Sequence, residues 1–262
     1  MKKFLLLSLL GIFTPGLDAG DWGKAPAAKA PVEECLDIGG EISTGYDTDY
    51  MFYGARFARD SVWTDVNYTF DNLVVPVTLG AWYLNGINAP ANYDELDLYA
   101  FVEVGSYAGF DASLGYTHFF FPETGPAAGF GSTGEASLEL YRDLGFADFN
   151  GRVVYFFAGG LTPGGGGFYY EAALEKSFGL TDKASLVVGA GVGYSDNYFF
   201  GFSGDSGWNH YFATVSLPIE LNCRTTLTPY ISYNGAPDTW VIDTLGLNSD
   251  VLYGGVSITV SF

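Results

Sequence analysis

The stretch Glu41–Phe52, EISTGYDTDYMF, decides the fold. Taken two residues at a time, it separates into Ile42, Thr44, Tyr46, Thr48, Tyr50 and Phe52 on one side and Ser43, Gly45, Asp47 and Asp49 on the other. An extended strand turns successive side chains to opposite faces, so the segment has one apolar and one acidic face. A helical period would mix the two sets.

The same alternation recurs along the chain. DELDLYAFVEV sets Leu96, Leu98, Ala100, Val102 and Val104 against Glu95, Asp97, Tyr99, Phe101 and Glu103. FDASLGYTHFF (Phe110–Phe120), EASLELY (Glu135–Tyr141), FYYEAALEKS (Phe168–Ser177) and SLVVGAGVGYS (Ser185–Ser195) read alike. Twelve segments emerge: 41–53, 61–70, 73–84, 95–104, 110–121, 135–141, 147–157, 168–177, 185–195, 209–220, 226–233 and 251–262. The alternation is impure in 147–157, 209–220 and 226–233. Most are about ten residues long, the length of a tilted strand crossing a bilayer.

The connections alternate as well. Short ones are expected at Asp71-Asn72, Gly105–Gly109, Arg142–Phe146, Phe178–Ala184 and Leu221–Thr225. Longer ones, rich in Gly, Pro, Asn and Asp, fall at Gly54–Asp60, Asn85–Asp94, Pro122–Gly134, Ala158–Gly167, Asp196–Trp208 and Asn234–Asp250. Tight periplasmic turns and long outer loops are the habit of outer-membrane barrels. The expected fold is therefore all-β: a transmembrane antiparallel up-and-down barrel of about 12 strands, within a range of roughly 10–14.

Composition narrows the class further. The 262 residues include 36 Gly, 19 Tyr, 22 Phe and 5 Trp, against 11 Lys+Arg and 30 Asp+Glu, a formal charge of −19. Such acidity excludes a nucleic-acid partner, which needs a basic surface. The apolar and aromatic share excludes disorder. No apolar run reaches the roughly 18 residues of a membrane-spanning helix. Lys2 and Lys3 before the apolar run Phe4–Phe13, then Pro15 and Leu17-Asp18-Ala19, read as a signal peptide over 1–19. Residues 20–36 read as a flexible periplasmic tether and 37–262 as the barrel. Beyond the tether, cations occur at Arg56, Arg59, Arg142, Arg152, Lys176, Lys183 and Arg224, all but Arg152 at strand ends or in connections. A cation facing lipid at the bilayer midplane costs about 2–4 kcal/mol.

Three segments carry a family resemblance. STGYDTDYMFYG (Ser43–Gly54), DELDLYAFVEVGSYAGFDASLGYTHFFFPE (Asp94–Glu123) and YYEAALEKSFGL with GVGYSD (Tyr169–Asp196) resemble the TorF-like family of outer-membrane porins. About half the chain is covered. Two departures stand out: Tyr53 replaces an Arg the family usually carries before Gly54, and Asp47-Thr48-Asp49 holds an extra carboxylate. The resemblance implies a channel-like barrel and no particular solute.

Function follows from the faces. Twelve strands about 4.8 Å apart and tilted about 40° give a backbone diameter near 24 Å, leaving on the order of 10 Å free. The polar face carries Asp47, Asp49, Asp65, Glu95, Asp97, Glu103, Asp111, Glu135, Glu139, Asp148, Glu171 and Glu175, with Arg152 the clear base. Carboxylate rings concentrate cations, which points to a porin-like, cation-preferring channel for small solutes or ions; the plainer reading is that the acids only keep the lumen wet. Two closer groupings are weighed: a Glu103/Asp111 pair across a hairpin, and a calcium site at Asp47/Asp49/Asp65. No metal or cofactor is assigned. Gly189, Gly191 and Gly193 bare one strand's inner face, either for a folded-in loop or tether or for bending of the wall.

The chain is not read as an enzyme. His118 lies on the lipid side, and His210 with Asp196 and Asp205 is the remaining grouping for an outer-membrane hydrolase. A non-conducting adhesin or structural barrel is the other alternative. Cys35 and Cys223 either form a disulfide at the periplasmic mouth or remain two thiols. The terminal strand VLYGGVSITVSF, ending in Phe262, is similar to the signal read by the barrel-assembly machinery. Outer-membrane lipid, that machinery and the permeating solutes or ions are the expected partners.

Overall fold

Alternating sequence becomes antiparallel sheet wherever one face can be buried and the other meets lipid. The computed structural model describes residues 38–88, 93–123, 132–157, 166–197, 206–237 and 250–262. They form β1 (Gly40–Phe52), β2 (Ala55–Phe70), β3 (Val77–Gly86), β4 (Asp94–Tyr107), β5 (Phe110–Phe120), β6 (Thr133–Asp143), β7 (Asp148–Phe156), β8 (Gly167–Thr181), β9 (Ala184–Asp196), β10 (Ser206–Ser216), β11 (Ile219–Asn222), β12 (Thr225–Gly235) and β13 (Val251–Ser261). Each pairs with its neighbour in sequence except β10 and β11, which both lie between β9 and β12, and β13 pairs with β1, closing the ring. The signal-peptide and tether segments expected over 1–36 lie outside the described residues, as does Cys35.

Thirteen strands make twelve staves, because β10 and β11 are one stave broken at Leu217-Pro218. Proline has no N–H for the ladder and strains the pairing. Both halves bond β9 on one side and β12 on the other. This break is the impurity read over 209–220. The closing seam runs to the last residue: Gly40 N donates to Phe262 O at 3.0 Å and Phe262 N to Gly40 O at 2.9 Å.

The outward face is an apolar belt. Ile42, Val62, Val66, Leu79, Leu98, Leu114, Leu174, Val188, Val215, Ile231, Val256 and Val260 are all exposed. Such a band suits acyl chains and nothing in water. Aromatic pairs flank it, Tyr155 with Phe168 and Tyr194 with Trp208 toward the long-loop end, Tyr68 with Phe70 toward the short-turn end. His118 sits on this outer face, its Nδ1 3.0 Å from Tyr116 Oη, as expected for a girdle position.

Two connections differ from expectation. The first outer connection, expected as a loop over Gly54–Asp60, is the two-residue turn Tyr53-Gly54, and β2 starts at Ala55. The first short turn, expected at Asp71-Asn72, extends to residue 76, so β3 begins at Val77. Without the Asn-Gly pair that usually marks such a hairpin, the sequence hides how tight the first turn is.

Candidate functional site

The lumen is built by pairing inward rings with inward glycines. Trp63 stands opposite Gly45, Tyr99 opposite Gly80, Phe101 opposite Gly115, Phe212 opposite Gly191 and His210 opposite Gly193. A Cβ on Gly80 would lie 2.1 Å from Tyr99 Cζ, and one on Gly191 would lie 2.5 Å from Phe212 Cζ. Each ring lies flat over a bare backbone, which lets large side chains pack inside a narrow barrel. The richness in Gly and aromatics is one device seen twice. Gly191 and Gly193 are covered by side chains of neighbouring strands, Phe212 and Ala173 over the first and Tyr169 and His210 over the second, while the tether lies outside the described residues.

A different segment does fold in. After Asp47, β1 has no ladder partner on β13, and β2 pairs with β3 only from Ser61. The hairpin between those points leaves the wall. A register shift between Tyr50 and Met51 bends it, and Tyr50 and Phe52, expected to face lipid, are buried inside the barrel instead. The shift steps past Phe57 on β2, so β1 keeps its alternation; consecutive Tyr50, Met51 and Phe52 are all buried because the arm lies inside the lumen with both faces covered, which strict alternation cannot reveal.

The tip of this hairpin is a two-residue turn with Tyr53 at φ 46° and Gly54 at φ 85°. An aromatic residue there costs on the order of 1–3 kcal/mol and must be held by its surroundings. Tyr53 Oη donates to Glu135 Oε1 at 2.9 Å. The Arg152 guanidinium sits 4.8 Å from the Tyr53 ring centre, and the Tyr169 ring centre is 4.3 Å away. Asn209 Nδ2 donates to the Tyr53 carbonyl at 2.7 Å, and Asn234 Nδ2 to the Gly54 carbonyl at 3.0 Å. His210 lies beneath Gly54, where a Cβ would come within 2.5 Å of its Cγ.

Around the tip a dry aromatic cluster forms from Tyr50, Phe52, Trp82, Tyr93, Phe119, Phe156 and Tyr169. Tyr50 packs 5.5 Å from Trp82, and Phe52 packs 5.7 Å from Phe119. Several expected lumen acids are sealed within or beside this cluster. Asp47, Asp65, Glu95, Asp97 and Glu135 are each no more than 2% exposed. Three of them accept from nearby phenols: Tyr230 Oη donates to Asp47 at 2.7 Å, Tyr99 Oη to Asp65 at 2.8 Å, and Tyr93 Oη to Glu95. Arg152 Nη2 donates to Glu135 Oε1 at 3.0 Å, and its Nε lies 3.3 Å from Glu139 Oε1. Tyr169 Oη donates to Glu171 Oε2 at 2.6 Å. Arg56, not singled out from the sequence, lies 3.3 Å from Asp49. It belongs to the infolded arm, so no strand pattern marked it as facing inward.

The other half of the lumen, toward the short turns, is wet. Glu41, Glu103, Asp111, Asp148 and Glu175 point inward but are only half-buried. Asp148 and Glu175 stand opposite each other on β7 and β8, two carboxylates side by side. Beside them Gly189 is open, its nearest neighbour 3.7 Å from where a Cβ would be. The water-exposed lining expected along the whole axis is found, among the described residues, only at this end. Over the outer half the infolded arm and its aromatic partners cover it.

The finer groupings fare unequally. Glu103 is opposite Ser113, and Asp111 is opposite Ser106, because a bulge at Gly105 shifts the register; Ser106 Oγ donates to Asp111. The two acids are therefore not direct partners. Asp47, Asp49 and Asp65 each turn to a different partner, and no metal-holding cluster is found among the described residues. His210 is deep inside, its ring nitrogens 2.7 Å from Asn234 Oδ1 and 2.8 Å from Tyr169 Oη, while Asp196 accepts from Ser206. That arrangement does not assemble the Asp/His hydrolase site weighed above, and Asp205 lies outside the described residues. Cys223 is disulfide-bonded in the short turn between β11 and β12.

No family model and no curated protein matches this chain. Solved structures do. The KdgM porin, in complex with disordered oligogalacturonate, superposes with a TM-score of 0.53 at 8% identity, covering 85% of this chain and 99% of the porin. An outer membrane channel from Pseudomonas putida F1 gives 0.54 at 12% identity, covering 90% and 100%. LpxR from Salmonella typhimurium gives 0.50 at 12% identity, covering 85% and 100%. At such identities the likeness is one of fold. The chain is a twelve-stave β-barrel of outer-membrane type.

Proposed function

We propose that this barrel is an outer-membrane channel for passive passage of small solutes or ions, with a preference for cations. The observation that supports it is the burial of the acids: Asp47, Asp65, Glu95, Asp97 and Glu135 are turned away from the lipid face, and at the short-turn end Glu103, Asp111, Asp148 and Glu175 are half-exposed. Carboxylates in a narrow, low-dielectric passage raise the local cation concentration and repel anions. KdgM and the Pseudomonas channel share the architecture. The quoted resemblance to the TorF-like porins supports the same reading, and we place the chain nearest that family. A planar-bilayer recording under a KCl gradient tests it: the reversal potential is expected on the potassium side, and a chloride-side value overturns the preference.

One observation favours a second reading. The filled outer half suits a non-conducting surface barrel, for which no conductance is expected under any condition. We further infer that residues 1–19 direct export, that 20–36 tether the chain, and that Cys35 is the disulfide partner of Cys223, pinning the tether across the mouth. Phe262, whose backbone closes the seam with Gly40, is proposed as the handle for the assembly machinery.

A further inference from the structure

We propose that the segment Thr48–Asp60 is a displaceable plug: a hairpin arm that closes the lumen by reaching across its full width and opens it by swinging back toward the wall. The proposal rests on the channel reading and adds the device that controls it.

The first support is topological. In a ring of twelve staves the seventh lies diametrically opposite the first. The arm springs from β1 and β2, and Tyr53 meets Glu135 on β6, Arg152 on β7 and Tyr169 on β8. Contacts with the opposite wall mean that the arm crosses the axis. From the other side Asn209 on β10 and Asn234 on β12 grip the two carbonyls of the turn.

The second support is how the arm is attached. The β1–β13 ladder stops at Asp47 and the β2–β3 ladder starts at Ser61, so moving the arm leaves the pairings that close the barrel intact. A few hydrogen bonds bridge the gaps: Gly254 N donates to Thr48 Oγ1 at 3.1 Å, Ile87 N and Asn88 N donate to the carbonyls of Asp60 and Arg59, and Tyr46 Oη and Asn88 Nδ2 each donate to the Asp60 carboxylate at 2.5 Å. The β2 limb carries two backbone irregularities: Asp60, at its root, adopts φ 49°, and the register shift steps past Phe57. Hinges sit at such positions, where a few residues absorb a change in direction.

The third support is the kind of contact at the tip. Two amide-to-carbonyl bonds, one phenol-to-carboxylate bond and a stacked guanidinium are individually modest and exchangeable with water. The remaining members, Glu135 with Arg152 and Tyr169 with Glu171, keep their own partners when the tip departs. Aromatic packing along the arm favours the closed state without making it permanent.

The test compares three full-length proteins in planar bilayers, each first shown to be folded by its faster gel migration when unboiled. They are the wild type, N209A/N234A, and a variant in which Tyr50–Ala58 is replaced by Asn-Gly. The last joins Asp49 to Arg59, which are already cross-strand partners, through a favoured two-residue turn. Expected are a wild type that is mostly closed with brief openings, a short-arm variant that stays open, and an opening frequency about tenfold higher in N209A/N234A from the loss of two hydrogen bonds. Equal steady conductance in all three overturns the plug and leaves the channel standing. Silence in all three overturns both. Should the short-arm variant fail to fold, N209A/N234A decides alone, and an unchanged opening frequency refutes the proposal.

Discussion

The two halves of this lumen are made of the same residue types and behave as opposites. Toward the long loops, acids are packed beneath aromatic rings, and each has a phenol, an arginine or another acid beside it. Toward the short turns, acids stand half-exposed, some directly facing one another. What separates them is one hairpin. Where Thr48–Asp60 folds inward, the carboxylates become part of a packed interior; beyond its reach they remain a half-exposed charged lining. Side-chain identity sets the polarity of the inner face, but occupancy of the axis sets whether that polarity meets water.

The contrast can be broken most forcefully at Arg152. Its guanidinium serves Glu135, Glu139 and the Tyr53 ring together, so Arg152→Ala leaves buried carboxylates without their base and is expected to lower stability by about 3–5 kcal/mol. The midpoint of urea unfolding, followed through the folded band on unboiled gels, measures it. Adding Glu135→Gln and Glu139→Gln to that variant should recover much of the loss. No recovery would mean that the cost lies in packing and not in charge.

A smaller effect separates two glycines. Gly80→Ala drives a methyl into the Tyr99 ring and should cost about 1–3 kcal/mol. Gly189→Ala, in the wet half, meets nothing closer than 3.7 Å and should leave stability unchanged or raise it by up to about 1 kcal/mol. Equal losses at both sites would erase the distinction between filled and open regions.

The smallest stability effect is expected from Glu103→Gln with Glu175→Gln, below about 0.5 kcal/mol for each. Their consequence is electrical: in the short-arm background the reversal potential should move toward zero. Were the same substitutions to unfold the barrel while leaving selectivity intact, the wet half would be structural and the acidic-channel reading would lose its footing.

Much of this was legible before any coordinates. Alternation located all twelve staves, because lipid on one side and a lumen on the other impose period two on every strand. The face of each expected acid could be read in the same way. Tyr50 and Phe52 do not face lipid because the arm folds into the lumen, where both of its sides are buried. The pairing of Trp63 with Gly45 or Tyr99 with Gly80 was invisible because register is a property of two strands. His210 looked like a rim residue because its distance from the loop says nothing about what covers it.

By itself, then, the sequence determined a closed, lipid-facing barrel with an acidic interior, since alternation and composition are local and every strand repeats them. Only the tertiary structure decided which acids are dry and which are wet. That depends on where a hairpin from one wall finds its partners on the opposite one, and such contacts join residues dozens to more than a hundred positions apart that no local pattern connects.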